Sequence, residues 1–534
     1  MPASDSQRAT TRTRTGAAPP SRSSTSSTSY RDATLGVFAL LLAFRIVNAL
    51  ALRTFFQPDE FFQSLEPAWQ LAFGRHAHAW ITWEWTAQLR SSLHPALFAA
   101  VYQVAAKLAV RCGLSLSAKA ELLLAAPKVT QALSAALMDC YTWKLAEKAY
   151  GRGSRTAFIT VPQVGGPQRE DNKRYEITSQ DALASISHAA TIASSVLSDR
   201  LYYQVWTLPP LRFLYFNIIQ SLAVFYGRNR ADYYLTEGLP LLLTTALPFT
   251  VVGLWQGLSG NVLQTSENIR AIGTQRVLPR LAWTSLIVTA SLSLIAHKEV
   301  RFLYPILPFL HILAAGPLSS FFPTQSSITR KGILTLLLFF NLLIAGYASQ
   351  IHQRGVIDVL TYLRHKHEAS NIHSRHTASG NGARMANTTV AFLMPCHSTP
   401  WRSHLVYPEI NAWALTCEPP LDVPLADRSA YLDEADQFYI SPGPAGWLRE
   451  NMEDVQTVRA SGSRSGRHWG RVDPNVQRAG RKAWPQHLVF FAQLEPELKE
   501  YLQGTTYREC WRGFNSHFHD DWRRKGDVLV WCLD

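Results

Sequence analysis

Three carboxylates lie among large aromatic residues in the segment 55–74, FFQPDEFFQSLEPAWQLAFG: Asp59, Glu60 and Glu66. Aromatic neighbours lower the local polarity and can raise the pKa of a carboxylate, which suits a general base that takes a proton from a substrate hydroxyl. Pro58 can start a helix with Asp59 and Glu60 in its first turn, where acidic groups also complement the helix dipole. The composition of the segment leaves both interpretations open.

A second stretch with polar side chains is WITWEWTAQLRSSLHPALFA, residues 80–99. Arg90 could bind a phosphate through two hydrogen bonds, and His94 could donate to a phosphate or a sugar hydroxyl. The tryptophans of the stretch could also form an aromatic belt at the level of lipid headgroups. The two interpretations are compatible.

A third stretch, IAHKEVRFLYPILPF (295–309), places His297, Lys298, Glu299 and Arg301 between two apolar segments. Ionisable groups at a membrane boundary are costly unless they are paired or functional. Lys298 and Arg301 are three residues apart and would share one face of a helix, where they could hold an anionic phosphate. A short basic loop between two membrane spans is the alternative.

These stretches are set among apolar segments that crowd residues 33–348, although the whole chain has a mean hydropathy of only −0.05. Several of the segments contain Pro, Arg or Lys, which is typical of helices buried among other helices; Arg45, within the first, should face protein rather than lipid. The candidate spans are 33–52, 93–111, 120–139, 211–226, 237–256, 280–296, 302–320 and 332–349. The predicted fold class is mainly α, a polytopic transmembrane helix bundle with a small C-terminal mixed α/β domain.

Composition also predicts four regions along the chain. Residues 1–32 form a disordered basic tail, whose arginines favour a cytosolic N-terminus and therefore a luminal position for the loop that follows the first span. Residues 33–349 form the bundle, with an atypical polar segment at 159–200. Residues 350–388 form a polar linker, and residues 389–534 form a soluble domain with strand-like runs at 389–394 and 527–533.

The sequence predicts neither a metal site nor a nucleic-acid partner. The six cysteines contain no Cys-x-x-Cys pair, and the histidines at 352–376 are irregularly spaced in polar surroundings, which indicates a solvated segment. The net charge of +13 comes without a nucleic-acid-binding motif, so the charge is expected in loops beside a membrane. Cys396, Cys417, Cys510 and Cys532 could form disulfides, and Asn387 could be glycosylated, if the C-terminal part is luminal.

Several of these motifs occur together, in the same order, in one enzyme family. The run Pro58-Asp59-Glu60 with Gln63 and Glu66, the TWEW and RSSLHP runs and HKEVRF resemble the lipid-linked mannosyltransferases of the GT-C class, glycosyltransferase family 22. The longer runs resemble the members that add the third mannose of the glycosylphosphatidylinositol (GPI) anchor precursor. These runs lie at 199–227, 233–243 and 392–406, and the resemblance covers about 35–155 and 199–420.

The resemblance implies a bundle of GT-C type with luminal loop helices, in the endoplasmic reticulum membrane. It implies dolichyl phosphate mannose as donor, the GPI glycolipid precursor as acceptor, and an α1,2 linkage made with inversion at the anomeric carbon. Inversion needs a base on the acceptor hydroxyl, opposite the leaving phosphate; Asp59 is the first candidate and Glu60 the second. The candidates for holding the donor phosphate or the substrate are Arg90, His94, His297, Lys298 and Arg301, with Glu66 as a further site residue.

Two alternatives remain beside this interpretation. One is another member of the family, which adds a fourth GPI mannose or acts on dolichol-linked oligosaccharide. The other is a non-catalytic membrane scaffold or transporter, which would explain intramembrane charges but not an acidic loop joined to aromatic and basic motifs. Residues 159–200 depart from the family, which has apolar helices there. No Asp-x-Asp motif is present, and no metal or other cofactor is expected.

Overall fold

The computed structural model describes residues 25–55, 57–151, 154–160, 178–219, 227–260, 271–377, 387–421, 423–424, 427–455, 458 and 480–533. Most of this chain is helical. The α-helices are α1 (Thr25–Ala51), α2 (Pro58–Glu60), α3 (Glu66–Phe73), α4 (Trp83–Thr86), α5 (Leu93–Arg111), α6 (Leu116–Tyr150), α7 (Arg155–Ile159), α8 (Thr178–Tyr203), α9 (Pro209–Leu214), α10 (Leu239–Leu243), α11 (Leu247–Ser259), α12 (Ala271–Ser293), α13 (Leu307–Phe321), α14 (Ile328–Gln350), α15 (Gly355–Thr377), α16 (Arg402–Leu405), α17 (Glu434–Tyr439), α18 (Gly443–Asn451) and α19 (Glu495–Tyr501). The strands are β1 (Thr388–Phe392), β2 (Ile410–Ala414), β3 (His487–Phe491), β4 (Tyr507–Gly513) and β5 (Val528–Leu533).

Five helical runs of the described chain are long and apolar enough to cross a membrane. They are Asp32–Ala51, Leu93–Arg111, Tyr234–Ser259, Val300–Phe321 and Ile328–Asn371. They coincide with five of the eight predicted spans. Of the other three, 120–139 lies inside the long helix α6 and 280–296 largely within α12, while 211–226 is helical up to residue 219 and then passes outside the described residues. The chain is therefore a membrane protein with a helical bundle.

Helices α1 and α6 are antiparallel and are joined by polar contacts inside the bundle. Arg45 forms an ion pair with Asp139 at 2.6 Å, and Lys144 donates to Thr34 at 3.0 Å. The prediction that Arg45 faces other helices is confirmed. A carboxylate partner explains how a guanidinium is tolerated in an apolar segment.

Helix α5 has the length and hydropathy of a span, but both of its ends lie on the side of the C-terminal domain. It ends at Arg111, and α6 begins five residues later at Leu116, whose carbonyl accepts a hydrogen bond of 3.2 Å from Tyr407. At its start, His94 contacts Ser64 of the loop after α1 at 2.8 Å. Length and composition alone therefore do not make α5 a span.

The C-terminal domain is built on a five-stranded sheet with the order β2-β1-β3-β5-β4. Strands β2, β1 and β3 are parallel, and β5 pairs antiparallel with both β3 and β4. Because side chains alternate along a strand, the sheet buries two faces. One face packs with the helices after α1, and the other packs against α17 and α18. The expected strands at 389–394 and 527–533 correspond to β1 and β5.

The segment expected to be a polar linker contains helix α15, which is part of the core. Val359, Leu363 and His367 are fully buried, and His367 contacts Thr388 of β1 at 2.9 Å. These positions recur at a spacing of four residues, so one face of α15 is inward while Lys and His residues on the other faces make the segment look like a linker. The described part of 350–388 thus differs from the predicted polar linker, and residues 378–386 lie outside the described residues.

The N-terminal tail and the segment 159–200 are described only in part. Residues 1–24 of the predicted tail lie outside the described residues, and α1 already begins at Thr25. Residues 161–177 also lie outside them, whereas the weakly apolar piece that follows is the helix α8. Near its end, the buried Asp199 accepts hydrogen bonds from the backbone N–H of Ser92 at 2.6 Å and from its hydroxyl at 2.9 Å. Helix α8 therefore positions the RSSLHP run.

Four of the six cysteines form disulfides within the C-terminal domain. Cys396 pairs with Cys417 and Cys510 with Cys532, a pairing that the sequence left open. The two free thiols are Cys112, exposed between α5 and α6, and Cys140 in α6. Disulfides of this kind persist in oxidising compartments.

Candidate active site

We call the continuous run Pro58–Phe73 the acidic helix, and its geometry is unusual. Pro58 occupies the first helical position of α2, and Asp59 and Glu60 complete its only turn. Residues Phe61–Leu65 then form a π-helical turn before α3 continues to Phe73. Single π-turns inside helices are frequent at functional sites. In α2, the adjacent carboxylates of Asp59 and Glu60 are directed towards different neighbours.

Asp59 contacts the basic motif that lies about 240 residues later in the sequence. Its carboxylate forms an ion pair with Arg301, which also binds Glu299 at 2.7 Å. His297 reaches the same Glu299 carboxylate at 3.1 Å. The structure therefore brings together two of the three stretches that the sequence marked for chemistry. The resulting row of charges is His297, Glu299, Arg301 and Asp59.

The protonation states along this row follow from its contacts. The hydrogen bond to Glu299 raises the pKa of His297, although burial works in the opposite direction. Burial would raise the pKa of Glu299, but the hydrogen bond from His297 and the charge of Arg301 hold it below its usual range. Glu299 is therefore ionised and orients Arg301 towards Asp59.

Lys298 does not share a helix face with Arg301 as expected. Residues 297–299 are not helical, and a 3₁₀ helix begins only at Val300. The Lys298 side chain is buried, and its Nζ lies 3.5 Å from the backbone carbonyl oxygen of Asn229. The backbone N–H of Lys298 donates to the side-chain oxygen of Asn229 at 2.7 Å. Lys298 thus anchors the motif to the turn that precedes Tyr234–Gly238.

Arg90 and His94 have partners outside the row of charges that contains Asp59 and Arg301. Arg90 pairs with Glu84 at 2.7 Å, and its carbonyl accepts a hydrogen bond of 2.7 Å from Tyr203 of α8. The His94 ring contacts the Ser64 hydroxyl at 2.8 Å. In this arrangement Arg90 has a carboxylate partner within its own stretch, and His94 supports the π-turn.

Glu66 has surroundings that indicate a positioning role. Its side chain is fully buried and accepts hydrogen bonds from the backbone N–H groups of Trp80 at 3.1 Å and Ser403 at 2.8 Å. Burial raises the pKa of Glu66, and these hydrogen bonds offset part of that effect. One carboxylate thereby joins α3, the loop before α4 and the C-terminal domain.

A loop of the C-terminal domain also contacts the acidic helix. From sequence, its CHSTP run suggests a structural or acceptor-binding role rather than a nucleophile pair of Cys396 and His397. We call residues 396–404 the docking loop. Within it, the ring of His397 packs against Phe62 with 4.1 Å between the ring centroids. The ring of His404 packs against Phe61 with 5.1 Å between the centroids. Burial lowers the pKa of His397 to about 4 and that of His404 to about 3, so both are neutral near pH 7.

The docking loop is held by covalent and polar contacts. Cys396 is bonded to Cys417, which removes the thiol that a nucleophile would need. The buried Arg402 donates to the carbonyls of His78 at 3.3 Å and Tyr407 at 3.0 Å. Two histidines and an arginine in an aromatic run, CHSTPWRSH, are the sequence signal that could have marked this loop.

Glu60 borders a cavity that Arg301 does not line. The cavity has a volume of about 80 Å³ and is enclosed by the end of α1, the acidic helix, α6, α15 and the docking loop. Gln131 of α6 lies 3.4 Å from the Glu60 carboxylate. Burial raises the pKa of Glu60, partly offset by Gln131 and by the positive charge of Lys128.

The Alg9-like mannosyltransferase family model matches residues 36–162 and 168–406. The chain belongs to this family. The match contains the acidic helix and the HKEVRF motif and ends just after the docking loop. Its single interruption, 163–167, falls in the atypical segment.

Curated relatives extend the similarity over nearly the whole chain. GPI mannosyltransferase 3 of Emericella nidulans is 47% identical over 100% of this chain and 83% of the relative, and the protein of that name from Aspergillus fumigatus is 41% identical over 98% and 81%. GPI alpha-1,2-mannosyltransferase 3 of Mus musculus is 27% identical over 90% and 85%. No solved structure matches the chain.

Proposed function

We propose that this chain transfers the third mannose, in α1,2 linkage, from dolichyl phosphate mannose to the GPI anchor precursor. Family membership and the names of the fungal and mouse relatives support the class of reaction and the acceptor. The observation that carries the proposal is the ion pair between Asp59 and Arg301, which joins an acidic helix and a basic motif into one site.

The reaction follows from this arrangement. The acceptor hydroxyl oxygen attacks the anomeric carbon of the donor mannose on the face opposite the phosphate, and the bond from that carbon to the phosphate oxygen breaks. Dolichyl phosphate leaves with the bonding electron pair, and the hydroxyl proton passes to Asp59. Arg301 forms an ion pair with Asp59, while Glu299 and His297 fix the guanidinium. Developing charge at the sugar is stabilised by the nearby carboxylates.

The leaving phosphate is held on the Arg301 side of the site. His297 carries positive charge over a wider pH range than an ordinary histidine, and the buried Nε of Arg301 donates to no described atom. Arg90, His94 and Lys298 have other partners in this structure, so we give them supporting roles. In this proposal they bind phosphate only after rearrangement.

We place the site on the luminal face of the endoplasmic reticulum membrane, in a bundle of GT-C type. Two disulfides in the C-terminal domain, and the docking of that domain on the acidic helix, support this side. The exposed Asn387 precedes two threonines and is a glycosylation sequon, which agrees with a luminal domain.

Complementation tests the proposal. Cells that lack the third GPI mannosyltransferase are transformed with this chain, and their GPI lipid intermediates are analysed. We expect the two-mannose precursor to disappear and three-mannose species to form. Persistent accumulation of the two-mannose precursor, or rescue only of cells defective in the fourth mannose or in dolichol-linked oligosaccharide, would contradict it.

A further inference from the structure

The cavity beside Glu60 has the character of a small binding site. Its volume of about 80 Å³ compares with roughly 10–15 Å³ for a single water, so it admits several hydroxyl-sized groups. Much of its wall is apolar, including Phe61 and Leu124, and a few polar groups converge on it. Binding sites for small molecules combine an apolar wall with few polar groups in this way.

The polar groups in the cavity suit neutral hydroxyls. Gln131 offers both a donor and an acceptor, Ser64 offers a hydroxyl, and Glu60 offers acceptor oxygens. His404 is uncharged near neutral pH. Two cations also line the cavity: Lys128, which lies near Glu60 and donates to the Leu52 carbonyl at 3.2 Å, and Arg53.

The position of the cavity separates it from the Arg301 side of the site. Asp59 and Glu60 are adjacent in one helical turn, yet Asp59 pairs with Arg301 and Glu60 lies beside Gln131. A substrate group bound beside Glu60 is therefore next to the residue that follows Asp59 in the same turn. It does not need the hydrogen bonds of Arg301. The cavity also lies at the C-terminal end of α1, at the membrane boundary where the head of a glycolipid is located.

From this geometry we infer that the cavity is the subsite for the acceptor sugar, with Glu60 and Gln131 binding its hydroxyls and Phe61 contacting its ring. The inference rests on the proposed function. It assigns Glu60 to acceptor recognition and leaves Asp59 to take the proton. The wall also contains the cations Lys128 and Arg53, so binding of the donor phosphate here is the competing outcome of the test.

Steady-state kinetics of the purified full chain test the subsite, with a dimannosyl GPI glycolipid as acceptor and dolichyl phosphate mannose as donor. Gln131→Ala should raise the acceptor KM roughly three- to tenfold, the effect of one lost hydrogen bond, and leave the donor KM unchanged. Leu124→Phe, which narrows the cavity from α6, should act in the same direction. Gln103→Ala is the matched control, because Gln103 is exposed on α5 and does not line the cavity.

The outcomes separate the subsite from the overall function. If the donor KM rises instead, the cavity holds the donor, and if neither KM changes in both variants, the cavity binds no substrate; either result overturns the inference. Thermal unfolding of each variant shows whether a change in KM comes from altered folding. A wild-type chain that transfers no mannose to this acceptor would instead contradict the proposed function.

Discussion

At the scale of single residues, the site depends on two adjacent carboxylates with different partners. The sequence located Asp59, Glu60 and Arg301 through their residue types and their positions beside apolar segments. It could not tell which carboxylate meets Arg301, because that depends on the direction of each side chain in a one-turn helix. It did not single out His404, and it could not show that His397 and His404 contact the acidic helix, because both contacts are long-range in sequence.

Replacing the proposed base tests the Asp59 role. Asp59→Asn removes both the proton acceptor and the ion pair with Arg301, and we expect mannose transfer to fall by about 100-fold or more. The loss of transfer is measured as the rate of product formation at saturating donor and acceptor concentrations. Asp358→Asn is a suitable control, because Asp358 of α15 also pairs with an arginine, Arg354, which directly precedes that helix. Normal transfer by Asp59→Asn would remove Asp59 from the mechanism.

The pH dependence of acceptor binding tests the Glu60 role. Burial raises the pKa of Glu60 above 4.5, so the side chain gains its proton at a higher pH than an ordinary glutamate. We expect kcat/KM for the acceptor to fall as the pH decreases through this raised pKa, and Glu60→Gln to abolish that limb of the profile. Because a raised carboxyl pKa means that ionisation costs folding free energy, Glu60→Gln should not lower thermal stability near pH 7. An unchanged acid limb in Glu60→Gln would assign the titration to another group.

At the scale of elements, the site is completed by a domain that is remote in sequence. Helix α15 and the docking loop bring the sheet against the acidic helix. Residues of the sheet and of the acidic helix share one hydrophobic core. Two of the five described strands, β1 and β5, and five of the eight predicted spans were predictable from apolar runs. The burial of α15 was not, because its apolar face is narrow and its remaining residues are those of a linker.

Glu66 tests the connection between these elements. Glu66→Ala leaves the backbone N–H groups of Trp80 and Ser403 buried without their acceptor, which should cost about 2–5 kcal/mol of unfolding free energy. We expect a lower thermal midpoint and faster proteolysis at the docking loop. Glu66→Gln, which keeps one acceptor oxygen, should lie between wild type and Glu66→Ala. Glu500→Ala, at an exposed position of α19, should match wild type, and equal stability of Glu66→Ala would show that the contact has no structural role.

At the scale of the whole molecule, the contacts of α5 determine the topology. Hydropathy marks α5 as a span, but a span starting at the loop after α1 would end on the opposite side of the membrane. At the start of α6, the Leu116 carbonyl accepts from Tyr407, and Glu121 accepts from Arg364 of α15. These contacts lie on the side where α5 also begins. We therefore expect α5 to lie along the luminal surface, with its exposed leucines towards lipid. Sequence could not reveal this, because an interfacial helix and a span share length and composition.

The native thiol between α5 and α6 provides a direct test of that topology. Cys112 is exposed, so in sealed microsomes a membrane-impermeant maleimide should label it only after the membrane is permeabilised. Cys112→Ser identifies the labelled residue against Cys140. Labelling of Cys112 in intact microsomes would place the end of α5 in the cytosol and make α5 a span.

Mannose transfer by the purified chain tests the central claim most directly. The protein is incubated in detergent or lipid vesicles with dolichyl phosphate mannose and a dimannosyl GPI glycolipid, and the lipid product is analysed by mass and by digestion with an α1,2-specific mannosidase. We predict a gain of one hexose that the mannosidase removes, and loss of this product in Asp59→Asn. A wild-type protein that adds no hexose, or adds one that resists the mannosidase, contradicts the account.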